Sequence, residues 1–321
     1  MPETSMYLNH FADSTAAHDM TATDEFASLL QSASDLGIDH RPSTEYRSRN
    51  IVLRGMRFHF LEWGDRSKPT VLLLHGGHQS AHAWDLCSLN LAQHYHVLAL
   101  DQRGHGDSEW ARDVDYSGQA MAADVTAFLA ALEPGKRPVV VGHSMGGRNA
   151  MLVARETPDA MRALVVVDIG PEISDAGRTA IAGFVKAAEE FDDLDHFVAT
   201  VRKYDPYRPM AHIERTAKYN MLVRADGKYI SKCDGTARRV GIRPSLPQDA
   251  LTLPDAARLT LPVLVVRGAN SNILAPDAAE RFRDALPQGE LVTIPDCGHL
   301  VPSQNTKGFL AALHDYLARL G

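Results

Sequence analysis

The chain has 321 residues, 45% of them hydrophobic, enough to bury a large core as one α/β domain or one domain carrying an insertion. Its net charge of −7 is unevenly placed, because residues 1–40 hold seven acidic side chains and no Lys or Arg, leaving 33 of each sign in residues 41–321. Wholesale disorder is excluded, and no basic surface for nucleic acid is implied.

The opening MPETSMYLNHF has neither a positive n-region nor an apolar h-region, and no later run approaches the ~20 apolar residues of a membrane span. A soluble, cytoplasmic protein without membrane attachment is therefore expected. Residues 1–44 read as an acidic extension with one amphipathic helix from Thr23 to Leu36, which places Phe26, Leu29, Leu30 and Ala33 on one face. Packing on the body, self-association into a homo-oligomer and mobility are all compatible with that face.

From Glu45 the residues alternate apolar with polar on either side of Gly55, the pattern of an antiparallel hairpin. Short apolar runs then follow at 70–75, 96–101, 138–143, 163–168, 262–268 and 290–295, separated by stretches of helical length. Helices are expected near 82–92, 118–132, 145–156, 276–286 and 303–319. Strands alternating with helices predict a mostly parallel eight-stranded sheet covered on both faces, with ligands bound at the carboxyl ends of its strands.

The stretch at 138–149 is the most informative. Pro138 to Val141 read as a buried strand, Gly142-His143-Ser144-Met145-Gly146 is G-x-S-x-G, and a helix follows from about Met145. The first glycine leaves room beside a strained serine and the second lets the helix approach the strand. Ser144 Oγ is then exposed at a helix N-terminus, where developing negative charge is favoured.

Residues 170–258 break the rhythm. They mix helical patterns with Pro206, Pro209, Pro244, Pro247 and Pro254 and carry Phe184, Phe191, Phe197, Tyr204, Tyr207, Tyr219 and Tyr229. A structureless loop of that length is unexpected, so the segment reads as a mainly helical cap over the site. Most of its aromatics belong to its own core, and a minority line a pocket for an apolar substrate. The domain plan is thus an extension at 1–44, a core at 45–169 and 259–321, and a cap at 170–258. Cys87, Cys233 and Cys297 are odd in number, far apart and without C-x-x-C, which points to ordinary buried thiols rather than disulfides or zinc.

With the elbow, the strand rhythm and the cap, the chain from about Tyr46 to Leu320 resembles the α/β-hydrolase superfamily. Leu-His-Gly-Gly at 74–77, Asp-Gln-Arg-Gly-His-Gly-Asp-Ser at 101–108 and Asp-Cys-Gly-His at 296–299 agree with it in order. The resemblance implies a cap inserted after the sixth strand, Ser144 as nucleophile, His299 as general base, and an oxyanion hole from the backbone N–H groups of Gly77 and Met145. It implies no cofactor. Substrate contacts are assigned to Gly76, His78, Trp84, Tyr204 and Tyr207. His75, His78 and His82 cluster in one loop, but no acidic or cysteine partner follows until Asp85, so no metal is expected. Asp101, Arg103 and His105 read as loop architecture, and Asp107 and Ser108 as caps of the next helix.

The acid departs from the common pattern. Relatives often read R-G-x-x-S-D after the strand at 262–268, whereas this chain has Arg267-Gly268-Ala269-Asn270-Ser271-Asn272. An Asn at 272 cannot stabilise an imidazolium at His299. Certain haloalkane dehalogenases and zearalenone-type lactonases take their acid from the preceding strand end, which here is Asp168. Asp168 is preferred and position 272 is the alternative; Asp277 begins a helix and Asp296 lies too near His299 in sequence. The expected function is hydrolysis of a carboxylic ester or lactone of an apolar small molecule through an acyl-enzyme. Two alternatives are a C–C bond hydrolase of a ring-cleavage product and a catalytically weakened ligand-binding homologue.

Overall fold

The computed structural model describes residues 22–133, 135–187, 190–236 and 250–321, without the side chains of 22–25, 181 and 184–187. Pro244, Pro247, the Phe184 side chain and most of the N-terminal extension, residues 1–21, lie outside the described residues.

Eight strands form one sheet: β1 (Tyr46–Leu53), β2 (Met56–Trp63), β3 (Thr70–Leu74), β4 (His96–Leu100), β5 (Val139–His143), β6 (Ala163–Val167), β10 (Val263–Gly268) and β11 (Gly289–Ile294), in the order β1-β2-β4-β3-β5-β6-β10-β11. β2 alone runs opposite to the other seven strands, so its pairings with β1 and β4 are antiparallel. Leu53 pairs with Met56 across a two-residue turn in which Arg54 and Gly55 both have positive φ, 51° and 78°, the geometry whose twist suits a hairpin. The inner strands β3, β4, β5 and β6 are buried throughout, because helices cover both faces of the sheet.

One face packs against the N-terminal helix Ala22–Asp35 and the final helix Thr306–Leu320; Leu29, Ala33, Phe309 and Leu313 lie in that core. The other packs against Gly118–Ala130, Met145–Glu156 and Pro276–Ala285. The expected helix at 303–319 is two pieces, Val301–Gln304 and Thr306–Leu320, because Asn305 leaves the helix to accept the Gly308 N–H at 2.9 Å. Gly118–Ala130 is capped by Ser117, not by Asp107 or Ser108. Ser108 instead bridges the Asp101 carbonyl and the His59 N–H, and Asp107 pairs with Lys232.

Between β6 and β10 lie the helices Asp175–Ala187, Leu194–Tyr204 and Met210–Asn220. They are joined by a feature absent from the helical expectation, an antiparallel sheet of β7 (Glu190–Phe191), β8 (Met221–Val223) and β9 (Tyr229–Ser231). Phe191, Phe197, Val201, Ile213 and Met221 form a separate small core within this segment. It is fastened to the main sheet's loops on two sides. Asp234 N–H donates to the Gly104 carbonyl at 2.8 Å, Tyr116 Oη–H to Asp234 at 2.6 Å and Trp110 Nε1–H to the Lys232 carbonyl at 3.1 Å. Opposite, buried Arg215 pairs with Asp85 at 3.0 Å and Tyr219 stacks on His82 with ring centres 3.5 Å apart.

Among the described residues no helix is long and apolar enough to cross a membrane.

Candidate active site

Ser144 follows β5 with φ 49° and ψ −112°, a left-handed conformation that costs ~1–3 kcal/mol and persists only where its surroundings hold it. The Ser144 N–H donates to the Val167 carbonyl of β6 at 3.0 Å, and the helix from Met145 begins at once. A Cβ on Gly146 would strike the Leu74 carbonyl, so the glycine lets this helix approach the end of β3 rather than only its own strand. Met145 is the first helical residue, and its N–H has no carbonyl one turn back to bond.

His299 follows β11. Its Nε2 lies 2.9 Å from Ser144 Oγ and its Nδ1 lies 2.8 Å from Asp168 Oδ2. Asp168, fully buried just past β6, also has a left-handed backbone with φ 53°. Its carboxylate accepts the Gly268 N–H at 2.9 Å and the Ser271 hydroxyl at 2.5 Å, both from the end of β10. Adjacent strand ends thus share one carboxylate. Because that carboxylate can only accept, His299 carries its proton on Nδ1 and turns a lone pair toward Ser144. Asn272 stands on the cavity wall, and its carbonyl accepts from Ser174 Oγ at 2.5 Å.

One further histidine braces this chain of bonds and another braces the loop after β3. His143 Nε2–H donates to the His299 carbonyl at 2.9 Å, and burial with His299 nearby pushes its pKa down to about 3. His75 donates from Nδ1 to the Gly76 carbonyl at 2.7 Å and accepts the Gln102 N–H on Nε2 at 3.1 Å. Burial and His105 lower its pKa to about 4, so it stays neutral. Gln79 Oε1 takes the Gly76 N–H at 2.9 Å and fixes the loop that carries Gly77. His82 is held by Asp85 at 3.0 Å.

A cavity of about 320 Å³ opens over Ser144. Gly76, Gly77, His78 and Tyr204 line it, together with Phe197, Val201, Ile273 and Leu300. Trp84 does not: it is 1% exposed and packs beside Phe309 in the core, because its 3₁₀ turn (Ala81–Trp84) aims the ring away from the loop. Tyr207 is also outside the lining; it is 45% exposed, with its ring edge beside Gly298. Cys87 and Cys297 are buried, but Cys233 is partly exposed and lies 3.3 Å from His105 Nε2, where the cap segment meets the loop after β4. Sequence reading missed Gln79, Asp205, Arg208, Ser271 and Gln304. Of these, Ser271 had a local signal, the Ser of the R-G-x-x-S-D pattern, as did His143 by its place inside the G-x-S-x-G turn.

A sequence profile described as the alpha/beta hydrolase fold matches residues 69–306. The chain is 29% identical over 307 residues to the esterase Rv0045c of Mycobacterium tuberculosis, covering 93% of this chain and 97% of the relative. The crystal structure of that esterase superposes with a TM-score of 0.74 at 26% identity, over 94% of this chain and all of the other. The sn-1-specific diacylglycerol lipase ABHD11 of Mus musculus is 31% identical over 79% of this chain and 83% of its own. The 2-(acetamidomethylene)succinate hydrolase of Mesorhizobium japonicum is 26% identical over 90% of this chain and 99% of its own. A crystal structure of E-2-(acetamidomethylene)succinate hydrolase superposes with a TM-score of 0.75 at 25% identity, over 85% and 100% of the two chains.

Proposed function

This chain belongs to the alpha/beta hydrolase family, and from that premise we propose that it is a serine hydrolase cleaving a carboxylic ester or lactone through an acyl-enzyme. The observation that carries this reading is the continuous hydrogen-bonded chain from Ser144 through His299 to Asp168 at the floor of a cavity.

His299 Nε2 takes the Ser144 proton as Oγ attacks the substrate carbonyl. The resulting oxyanion is received by the N–H groups of Met145 and Gly77; loss of one such donor typically costs ~10²–10³ in rate. Asp168 keeps the Nδ1 tautomer in place and stabilises the imidazolium, helped by its burial and by Gly268 and Ser271. The proton passes from Nε2 to the leaving oxygen, and water then repeats the sequence on the acyl-enzyme. The weakened-homologue alternative drew on Asn272; with Nδ1 of His299 engaged by Asp168, that position no longer supports it.

The test is fluorophosphonate labelling together with turnover of p-nitrophenyl esters and aryl lactones. One label is expected on Ser144, with turnover, and neither is expected in Ser144→Ala. A folded protein that takes no label and cleaves none of the panel overturns the proposal; cleavage of a vinylogous diketone without ester turnover moves it to C–C hydrolysis.

A further inference from the structure

The cavity over Ser144 is apolar on one side, but Arg208 and Asp205 face it from the loop between two cap helices. Their side chains are 11% and 0% exposed, and Arg208 Nε lies 2.8 Å from Asp205 Oδ2. The pair is close yet poorly aligned: among the described residues neither of those two atoms has a hydrogen-bond partner. Arg208 Nη1 reaches only Thr216 Oγ1, at 3.5 Å. Held only by that misaligned ion pair and by one hydrogen bond at the limit of reach, the guanidinium in this cavity wall keeps donor capacity for an acceptor from outside.

Asp205 has less to offer a ligand. Its Oδ1 accepts Gln304 Nε2–H at 2.6 Å, and Gln304 Oε1 accepts the Gly298 N–H at 2.6 Å, immediately before His299. The aspartate is thereby tied to the loop that holds His299. Lys203 adds a second cation to the lining, so its Lys and Arg outnumber its single Asp in a chain whose net charge is −7. A guanidinium fork in such a setting suits the planar oxygens of a carboxylate.

We propose, building on the serine-hydrolase reading, that Arg208 is a specificity-determining residue that receives a carboxylate on the substrate while Ser144 attacks an acyl carbon elsewhere in the same molecule. Asp205 and Gln304 hold that recognition point in one frame with His299. The substrate class is then an ester, lactone or related acyl compound bearing a free carboxylate, rather than a wholly apolar one.

The test compares mono-p-nitrophenyl glutarate with its methyl ester. The free acid is expected to be favoured at least about tenfold in kcat/KM, through KM. Arg208→Gln should bring the acid-over-ester ratio of kcat/KM, read within the same variant, close to one, and Arg208→Lys should retain part of the preference. Because Arg208→Gln leaves Asp205 buried without its cation, the Asp205→Asn/Arg208→Gln double variant is measured beside it, with folding checked by circular dichroism. Binding of the free acid to Ser144→Ala, followed by calorimetry, reads recognition without chemistry: saturable binding lost with Arg208 supports the proposal even where turnover fails. Equal use of acid and methyl ester by the unmodified protein, or equal damage to both in Arg208→Gln, overturns it. Absence of Ser144 labelling would instead strike the hydrolase reading.

Discussion

Replacing Asp168 by Asn keeps the side-chain shape, removes the charge and offers His299 Nδ1 a group that no longer fixes its tautomer. For Asp168→Asn, kcat is expected to fall about 10³–10⁴-fold with the fold intact, measured on the best ester of the panel. Asn272→Asp should give no gain, since Nδ1 is already engaged; a gain there, with a mild loss in Asp168→Asn, would move the acid to 272. The Ser144 elbow was readable because its turn, glycines and helix lie within a few residues. Asp168 was preferred over position 272, but the contact that seats it beneath His299 was not legible, because it depends on β6 and β10 ending side by side, with Asp168 N–H bonded to the Val266 carbonyl at 2.7 Å between residues far apart in the chain. Arg208, Asp205 and Gln304 were unreadable for a similar reason, since nothing near them in sequence marks them as neighbours of the site.

Strands buried on both faces announce themselves as apolar runs, so the sheet's inner strands were legible to within a residue or two. The cap's strands are two or three residues long, too short for any periodicity, although Asp226-Gly227 between β8 and β9 is a hairpin signal that could have been read. At the sheet's other end, Glu62 on β2 joins Arg66, His96 and Arg49 at 2.5, 3.1 and 3.0 Å. Burial alone would raise its pKa, but hydrogen bonds from these three hold it down at about 2 against an ordinary 4.5. The folded carboxylate therefore gives up its proton more readily than the unfolded one. Its contribution is complete above about pH 4.5 and drains as the pH falls toward 2. Glu62→Gln should lower the urea midpoint at pH 7 and flatten its decline over that acid window; an unchanged acid limb would assign the loss to other groups.

At the scale of the whole molecule, the N-terminal helix is part of the core. Leu29 and Ala33 are buried, and the Phe26 ring lies 5.0 Å from Tyr46 and 6.5 Å from Trp63. The sequence showed its apolar face but not what that face meets, because amphipathicity specifies a contact without naming the partner. Leu29→Ala should cost about 2–5 kcal/mol, seen as a lower denaturation midpoint, while turnover per folded molecule stays unchanged. An unshifted midpoint would mean that the helix docks without contributing to stability.

The carboxylate beneath His299 is anchored on β6, and this leaves the turn after β10 with an unusual freedom. Ser271 remains tied to Asp168 and Ile273 is packed in the core, but Asn272 holds Ser174 through its backbone carbonyl and otherwise stands on the cavity wall. Variation there can redraw what the cavity admits without disturbing the charge proposed to orient the histidine. Position 272 is therefore the place where new substrates can be tried while the reaction itself is kept.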